Sequence, residues 1–260
     1  VAVKGDGPIS FLKHTFGSLI PNIFSRTSEI GSWMKEEDPD VVVTDDLFAM
    51  LVAIKQGREF HRIDHLTPGL FDMRWRIPSK IYNKLSLIFG EQIIVTSLWK
   101  GEEDPPGYTR VGPLAQEGES DDGIEEYDVL INPGTHGDNF EEIKENLKEK
   151  GMNVRQVGDE KWETKPAMTP YTEKADVVIC TGFSSIADTV VAGTPCIIYP
   201  FLPFQKAIAN KVEEENLKGL EKATSVDEVV EKAEYYSNGE GENPEYENGA
   251  SEFFDALLED

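Results

Sequence analysis

Short apolar runs alternate with longer stretches of helical period along most of this chain, with glycine, proline or acidic residues between them. Val41-Val42-Val43, Phe60 to Ile63, Gln92 to Ser97, Tyr127 to Ile131, Asn153 to Val157, Val177 to Cys180 and Cys196 to Tyr199 read as buried strands. Between them lie predicted helices. One runs from Leu47 to about Gln56, one over Pro78 to Phe89 with Ile81, Leu85 and Ile88 on its apolar side, and one from near Asp138 to Gly151 with Phe140, Ile143 and Leu147 inward. Asp138-x-x-Glu141 and Ser225-x-x-Glu228 are capping signals, the second leading a helix with Val226, Val229, Val230 and Ala233 inward. Ser251 to Leu258 is a last short helix. Strand-helix-strand repetition predicts an α/β chain with parallel sheets. Before Val41, the residues Phe11, Leu12, Phe16, Leu19, Ile20 and Ile23 give a helical apolar face broken at Pro21, and Ile30, Trp33 and Met34 continue the spacing. His14 reads as a surface or packing histidine.

Residues 175–200, ADVVIC-TGFSS-IADTVVAG-TPCIIYP, organise the rest. Gly182 turns the chain off a strand end, Ser184 and Ser185 open a helix, and Gly193 suits its left-handed C-terminal cap. Such a turn presents free N–H groups at a helix N-terminus and favours an anion, often a phosphate. Asp188 lies one turn into that helix. It can accept hydrogen bonds from a ribose, or it can close a capping box, Ser185-x-x-Asp188. Spacing alone leaves both open. Asp45-Asp46 reads as a helix N-cap in preference to a metal site.

The 175–200 pattern resembles the donor-binding signature of the two-domain GT-B glycosyltransferases, in particular the MurG-like group of glycosyltransferase family 28 type. The resemblance implies two Rossmann-like doubly wound domains facing across a cleft. It places the nucleotide diphosphate at Gly182, Ser184 and Ser185 and the ribose at Asp188, where the family usually has Glu. Gly134, Thr135 and His136 loosely match a glycine loop facing the donor phosphates, and a protonated His136 would neutralise the leaving diphosphate; plain turn glycines are the simpler reading of Gly134 and Gly137. Gln205 and Asn210 stand near the family's donor-sugar contacts with altered spacing, and the 158–170 stretch with Trp162, Met168 and Tyr171 falls by the base. Pro68-Gly69-Leu70 resembles the family's acceptor-side loop, which puts Asp64 and His65 in the cleft. A histidine beside an acid serves as a general base near neutral pH; strand-end caps facing solvent are the plainer alternative.

On this resemblance the chain divides into an acceptor-side domain over 1–114, a linker over 115–126, a nucleotide-sugar domain over 127–240, and an acidic connection with a helix returning to the first domain over 241–260. The expected activity is metal-independent, inverting transfer of a hexose or N-acetylhexosamine from a UDP-sugar to a hydroxyl of a lipid-linked or glycan acceptor, with no cofactor. The alternatives are a UDP-sugar 2-epimerase of the same fold and a non-catalytic nucleotide-sugar-binding subunit of a split transferase. The family's glycine-rich first loop has no counterpart before Val41. About sixty residues, two further units of roughly thirty, would complete the first sheet, so the first domain is expected to be incomplete. The start Val-Ala-Val leaves a preceding segment open.

Charge narrows the partners. The 260 residues carry 49 acids against 25 bases, a net −24. That disfavours non-specific nucleic-acid binding and broad attachment to anionic lipid. The expected location is the cytoplasm, with peripheral contact at the cytoplasmic face of the membrane left open. The acids are dispersed, the pattern of proteins from a saline cytoplasm such as that of halophilic archaea; an acidic protein from ordinary salt is the plainer reading. No apolar run reaches membrane-spanning length. Cys180 and Cys196, both in predicted buried strands, are expected as free thiols in a reducing compartment, with a disulfide between them as the less favoured alternative.

Overall fold

A computed structural model describes residues 25–70, 73–99, 105–118, 123–160 and 162–258. The predicted helix over Phe11 to Ile23 and His14 lie outside them. The described residues form two compact units. The first takes those up to Thr96, those from 105 to Arg110, and 256–258; the second takes Ser97 to 99 and those from Val111 to Asp255.

In the first unit, helix α1 covers 25–37 and is followed by β1 (Val41–Thr44), α2 (Leu47–Gln56), β2 (Glu59–Asp64), α3 (Met73–Phe89), β3 (Ile93–Thr96) and β4 (Tyr108–Val111). The sheet runs in sequence order, β1-β2-β3-β4, with β1, β2 and β3 parallel. Local chemistry sets the limits of α2. Asp46 accepts hydrogen bonds from the N–H groups of Phe48 (2.6 Å) and Ala49 (3.2 Å), and Gly57 at φ 65° closes the helix in the left-handed region. Asp46 is thus a helix cap. Met34, Val42, Met50, Val52, Ala53 and Phe60 form the core of this unit. The chain passes from α3 to β3 through Gly90, where an added Cβ would sit 2.8 Å from the Phe60 carbonyl oxygen. α3 begins before Pro78, not at it, and tolerates the proline inside its second turn.

The second unit contains β5 (Tyr127–Asn132), α4 (Glu141–Glu149), β6 (Val154–Gln156), α5 (Thr169–Thr172), β7 (Ala175–Cys180), α6 (Phe183–Val191), β8 (Cys196–Ile198), α7 (Pro203–Glu215), β9 (Leu220–Lys222) and α8 (Val226–Ser237), and α9 (Ala250–Leu258) begins in it. All five strands are parallel, in the order β6-β5-β7-β8-β9. β5 and β7 are central and almost wholly apolar, as strands covered on both faces must be. Val129, Ile131, Val177 and Ile179 meet Ile143 and Leu147 of α4 and Val229 and Ala233 of α8. Ser225 caps α8 by accepting from the Glu228 N–H at 3.2 Å. The Asp138 signal does not act as a cap: residues Gly137–Phe140 form a 3-10 turn, and α4 starts after it without a side-chain cap. Gly112 and Gly249 bring their backbones together, since a Cβ on Gly249 would lie 2.5 Å from the Gly112 carbonyl oxygen.

The two cysteines are free and buried, on adjacent strands β7 and β8, with their sulfurs 3.1 Å apart. Burial pushes the Cys180 thiol up.

Candidate functional site

Strand order locates the site in the second unit. The chain leaves β5 for β6 on one side and returns to β7 on the other. The loops after β5 and β7 therefore diverge, and open parallel sheets hold ligands at the carboxyl ends of the strands where this happens. Asn132 and Cys180, the last residues of these strands, are register partners. The two loops beyond them come close: a Cβ on Gly134 would lie 3.8 Å from the Thr181 hydroxyl. Gly134 has φ 58°, a conformation that side-chain-bearing residues adopt only with strain.

The helix after the second loop starts one residue earlier than its serines suggest. Gly182 is the N-cap, extended at φ −124° and ψ 164°, and Phe183 is the first helical residue. Gly182 has no side chain, and no side-chain hydrogen bond caps the helix from this position. Ser184 is exposed and Ser185 half-buried at this open end. A Cβ on Gly182 would meet Gln205 Nε2 at an ordinary 3.9 Å. Gln205 is buried and its Oε1 is committed, accepting from the N–H groups of Phe201 (2.9 Å) and Leu202 (2.9 Å) at the start of α7. Only its amide N–H₂ faces the turn.

Asp188 does not close a capping box, because Ser185 is the third helical residue and not the cap. Its carboxylate instead accepts from the backbone N–H of Gln116. Residues 115–118, expected as linker, lie against α5 here: Thr169 donates to the Gln116 carbonyl at 3.0 Å, and a Cβ on Gly118 would touch Pro170. Burial raises the Asp188 carboxyl to about 6, with the Gln116 N–H opposing the rise. His136 is half-buried, its ring 5.4 Å from that of Phe201, which packs edge-on to Phe140 and Tyr199. Thr135 is exposed in the same loop. A cavity of about 620 Å³ adjoins the loop end at Gly137, lined also by Lys144, Arg155 and Gln156. Trp162 and Tyr171 form an edge-on pair, centroids 5.3 Å apart.

In the first unit, Asp64 and His65 close β2 at the carboxyl edge of its sheet. The acid does not bond the imidazole. Asp64 Oδ1 accepts from the backbone N–H groups of His65 (2.8 Å) and Leu66 (3.2 Å), and Oδ2 is paired with Arg62. Arg62 is itself buried, 3.1 Å from the Ser86 hydroxyl and 4.1 Å over the Tyr82 ring. His65 Nδ1 meets the Thr96 hydroxyl at 2.7 Å across to β3. Burial lowers the His65 pKa, against the pull of Asp64 and Asp45. The ring is therefore neutral at pH 7, with Thr96 fixing its orientation.

Sequence reasoning passed over Thr96, Arg62, Thr181 and the Gln116 N–H. Thr181 had a signal, as the residue between strand and glycine in the turn; the Gln116 contact had none.

No protein-family model matches the chain, and no curated protein matches it in sequence. Solved structures do. The Methanocaldococcus jannaschii UDP-GlcNAc 2-epimerase in complex with UDP-GlcNAc and UDP matches at TM-score 0.59 and 14% identity, over 91% of this chain and 80% of that one. A putative UDP-N-acetylglucosamine 2-epimerase from Listeria monocytogenes matches at 0.59 and 13%, over 89% and 76%. The spinosyn rhamnosyltransferase SpnG complexed with thymidine diphosphate matches at 0.56 and 11%, over 95% and 80%. The fold is of the GT-B class. Among the described residues no helix is long and apolar enough to cross a membrane.

Proposed function

We propose that this chain is a glycosyltransferase that seats the diphosphate of a UDP-sugar on the open N-terminus of α6. The observation that carries the reading is that this uncapped turn sits at the switch point between β5 and β7. The N–H groups of the first turn, with Ser184 and Ser185, face the diphosphate, and Asp188 accepts from the ribose. Gly134, Thr135 and His136 close on the phosphates from the β5 loop, and the Gln205 amide donates toward the sugar. Charge growing on the leaving diphosphate is met by fixed dipoles, so transfer proceeds without a metal. His65, oriented by Thr96, takes the proton of the acceptor hydroxyl as it attacks the anomeric carbon with inversion; Asp64 positions the His65 backbone. The donor sugar is a hexose or N-acetylhexosamine, and the acceptor is lipid-linked or a glycan, met at the cytoplasmic membrane face by a peripheral protein of the MurG-like group. The dispersed acidic surface suits a saline cytoplasm.

A second reading is a UDP-sugar 2-epimerase. Matches to two such enzymes at TM-score 0.59, above the 0.56 of the SpnG complex, favour weighing it. The test is to incubate the purified chain with UDP-GlcNAc alone and with candidate acceptors, following UDP release and the sugar product by mass spectrometry and NMR. UDP release that requires an acceptor is the expected result. Epimer without acceptor would replace transferase by epimerase, and UDP binding without any turnover would indicate a binding subunit.

A further inference from the structure

Glu59 and His61 flank Phe60 on β2. Phe60 belongs to the core of the first unit, so its two neighbours point to the other face of the sheet. The Arg62–Ile93 register brings Gln92 beside His61 on that face. A cavity of about 550 Å³ opens there, lined by Glu59, His61, Glu91, Gln92, Thr109 and the end of α9, all within the first unit. Gln92 is committed: it accepts from the Thr109 hydroxyl (2.6 Å) and donates to the Ala256 carbonyl (2.5 Å). His61 is not. It is only 4% exposed, and neither ring nitrogen has a hydrogen-bond partner among the described residues. A buried polar group left so is costly, and a bound donor relieves it. Nε2 lies 3.5 Å from Glu59 Oε1. The two atoms are too far apart for a good hydrogen bond, yet one ammonium nitrogen fits between them at ordinary distance from both.

We propose that this cavity binds a short polyamine. One ammonium donates to the bare His61 nitrogen and to Glu59, and a second reaches the Glu91 carboxylate. The lining holds two acids and no lysine or arginine, so it suits a ligand with two positive charges and repels anions. A metal ion is the poorer occupant, because among the described residues no three His, Cys, Asp or Glu side chains are placed to hold one. The volume is that of a small-molecule site. His65 stands four residues further along the chain, about 13 Å at the rise of a parallel strand, so the cavity at the start of β2 is separate from the candidate base. Amine binding is read without donor, acceptor or turnover, so this reading and the transferase reading can fail separately.

The test is isothermal titration of the full chain with spermidine in an amine-free buffer. At about 0.15 M salt, attraction to the dispersed surface acids is screened beyond about 8 Å. One saturable site is expected. Glu59→Gln and Glu91→Gln, both at exposed positions, should each weaken it roughly tenfold. Glu36→Gln/Glu37→Gln, which removes more charge from exposed positions on α1, should leave it unchanged. Of the four histidines, His61, assigned by the signal missing in His61→Gln, should be the one whose ring resonances move on adding spermidine. No saturable site, or a His61 signal that stays in place, would overturn the proposal. Equal weakening by the Glu36/Glu37 pair would do the same, by reducing the binding to attraction toward net charge. So would one-to-one binding of zinc by a chain that does not bind spermidine.

Discussion

Asp188 offers the sharpest test of the donor site, because its environment works against its charge. Its carboxyl lies near 6 when the site is empty, raised by burial and held by one N–H from Gln116. A ribose hydroxyl needs the ionised form as acceptor. If binding requires that form, UDP affinity falls about tenfold from pH 8 to pH 5, the ratio expected for one group titrating near 6. UDP's own terminal phosphate titrates in the same range, so the control is Asp188→Asn, which keeps the shape and carries only the ligand's titration. At pH 8 that variant loses a hydrogen bond to a charged acceptor, about 1.5–3 kcal/mol, or roughly ten- to a hundredfold in Kd. Stability moves the other way. The folded pKa lies above the unfolded value of 3.8, so the folded chain binds the extra proton between them and loses stability as pH rises through that window. For a half-buried carboxylate screened by water the loss is on the order of 1 kcal/mol. Above pH 6 the unliganded Asp188→Asn chain should therefore melt higher than wild type while binding UDP more weakly. Isothermal titration and melting from pH 5 to 8 measure both. Equal affinity at pH 8, with the same pH slope in both proteins, would refute the ribose role.

Gly182→Ala separates binding from folding. Its backbone is extended and the new methyl meets only Gln205 Nε2 at 3.9 Å, so stability should fall only by about 0.5–1 kcal/mol, the preference of an N-cap for glycine over alanine, while UDP binding is lost as the methyl enters the space of the diphosphate; calorimetry and titration read the two. Gly90→Ala does the reverse: a methyl 2.8 Å from the Phe60 carbonyl oxygen and 2.7 Å from its ring should cost about 1–3 kcal/mol in urea unfolding. Thr96→Val removes the hydroxyl at His65 Nδ1 and should lower kcat more than KM and move the acid limb of the pH–rate profile; an unmoved limb would remove His65 from the base role. The His65 pKa is lowered in the fold, so its contribution to stability is full above about 6.5 and is lost as pH falls through the folded value. His65→Gln should flatten that part of the melting profile.

Legibility followed the range of the forces. Both ends of α2 could be read because Asp46 and Gly57 act on their own neighbours. The β7–turn–α6 unit could be read because apolar strand, glycine and helix are adjacent in sequence, although the helix takes Phe183 into its first turn. Period also gave the apolar side of α3. It could not say which side packs, because a buried arginine on β2 recruits Ser86 and Tyr82 and reverses the usual choice. The start of α3 was misplaced at Pro78, since a proline near a helix start reads locally as the start itself. Spacing leaves Asp188 as a candidate cap, but the N-cap is Gly182, and the Asp188 bond to Gln116 joins segments that no local pattern relates. Asp64 and His65 were found together, but the acid serves Arg62 and the main chain, while the imidazole answers to a threonine on the next strand.

The mouth of α6 draws its donors from the main chain, and every amino acid except proline supplies the same main-chain group. A seat made this way survives wholesale replacement of the letters around it. Descendants can drift in surface charge, helix composition and loop chemistry, and the cradle persists as long as a strand still breaks into a helix at a residue without bulk. Likeness of this kind is one of geometry: the fold is shared at TM-scores of 0.56–0.59 with 11–14% identity, where no family model and no curated sequence matches.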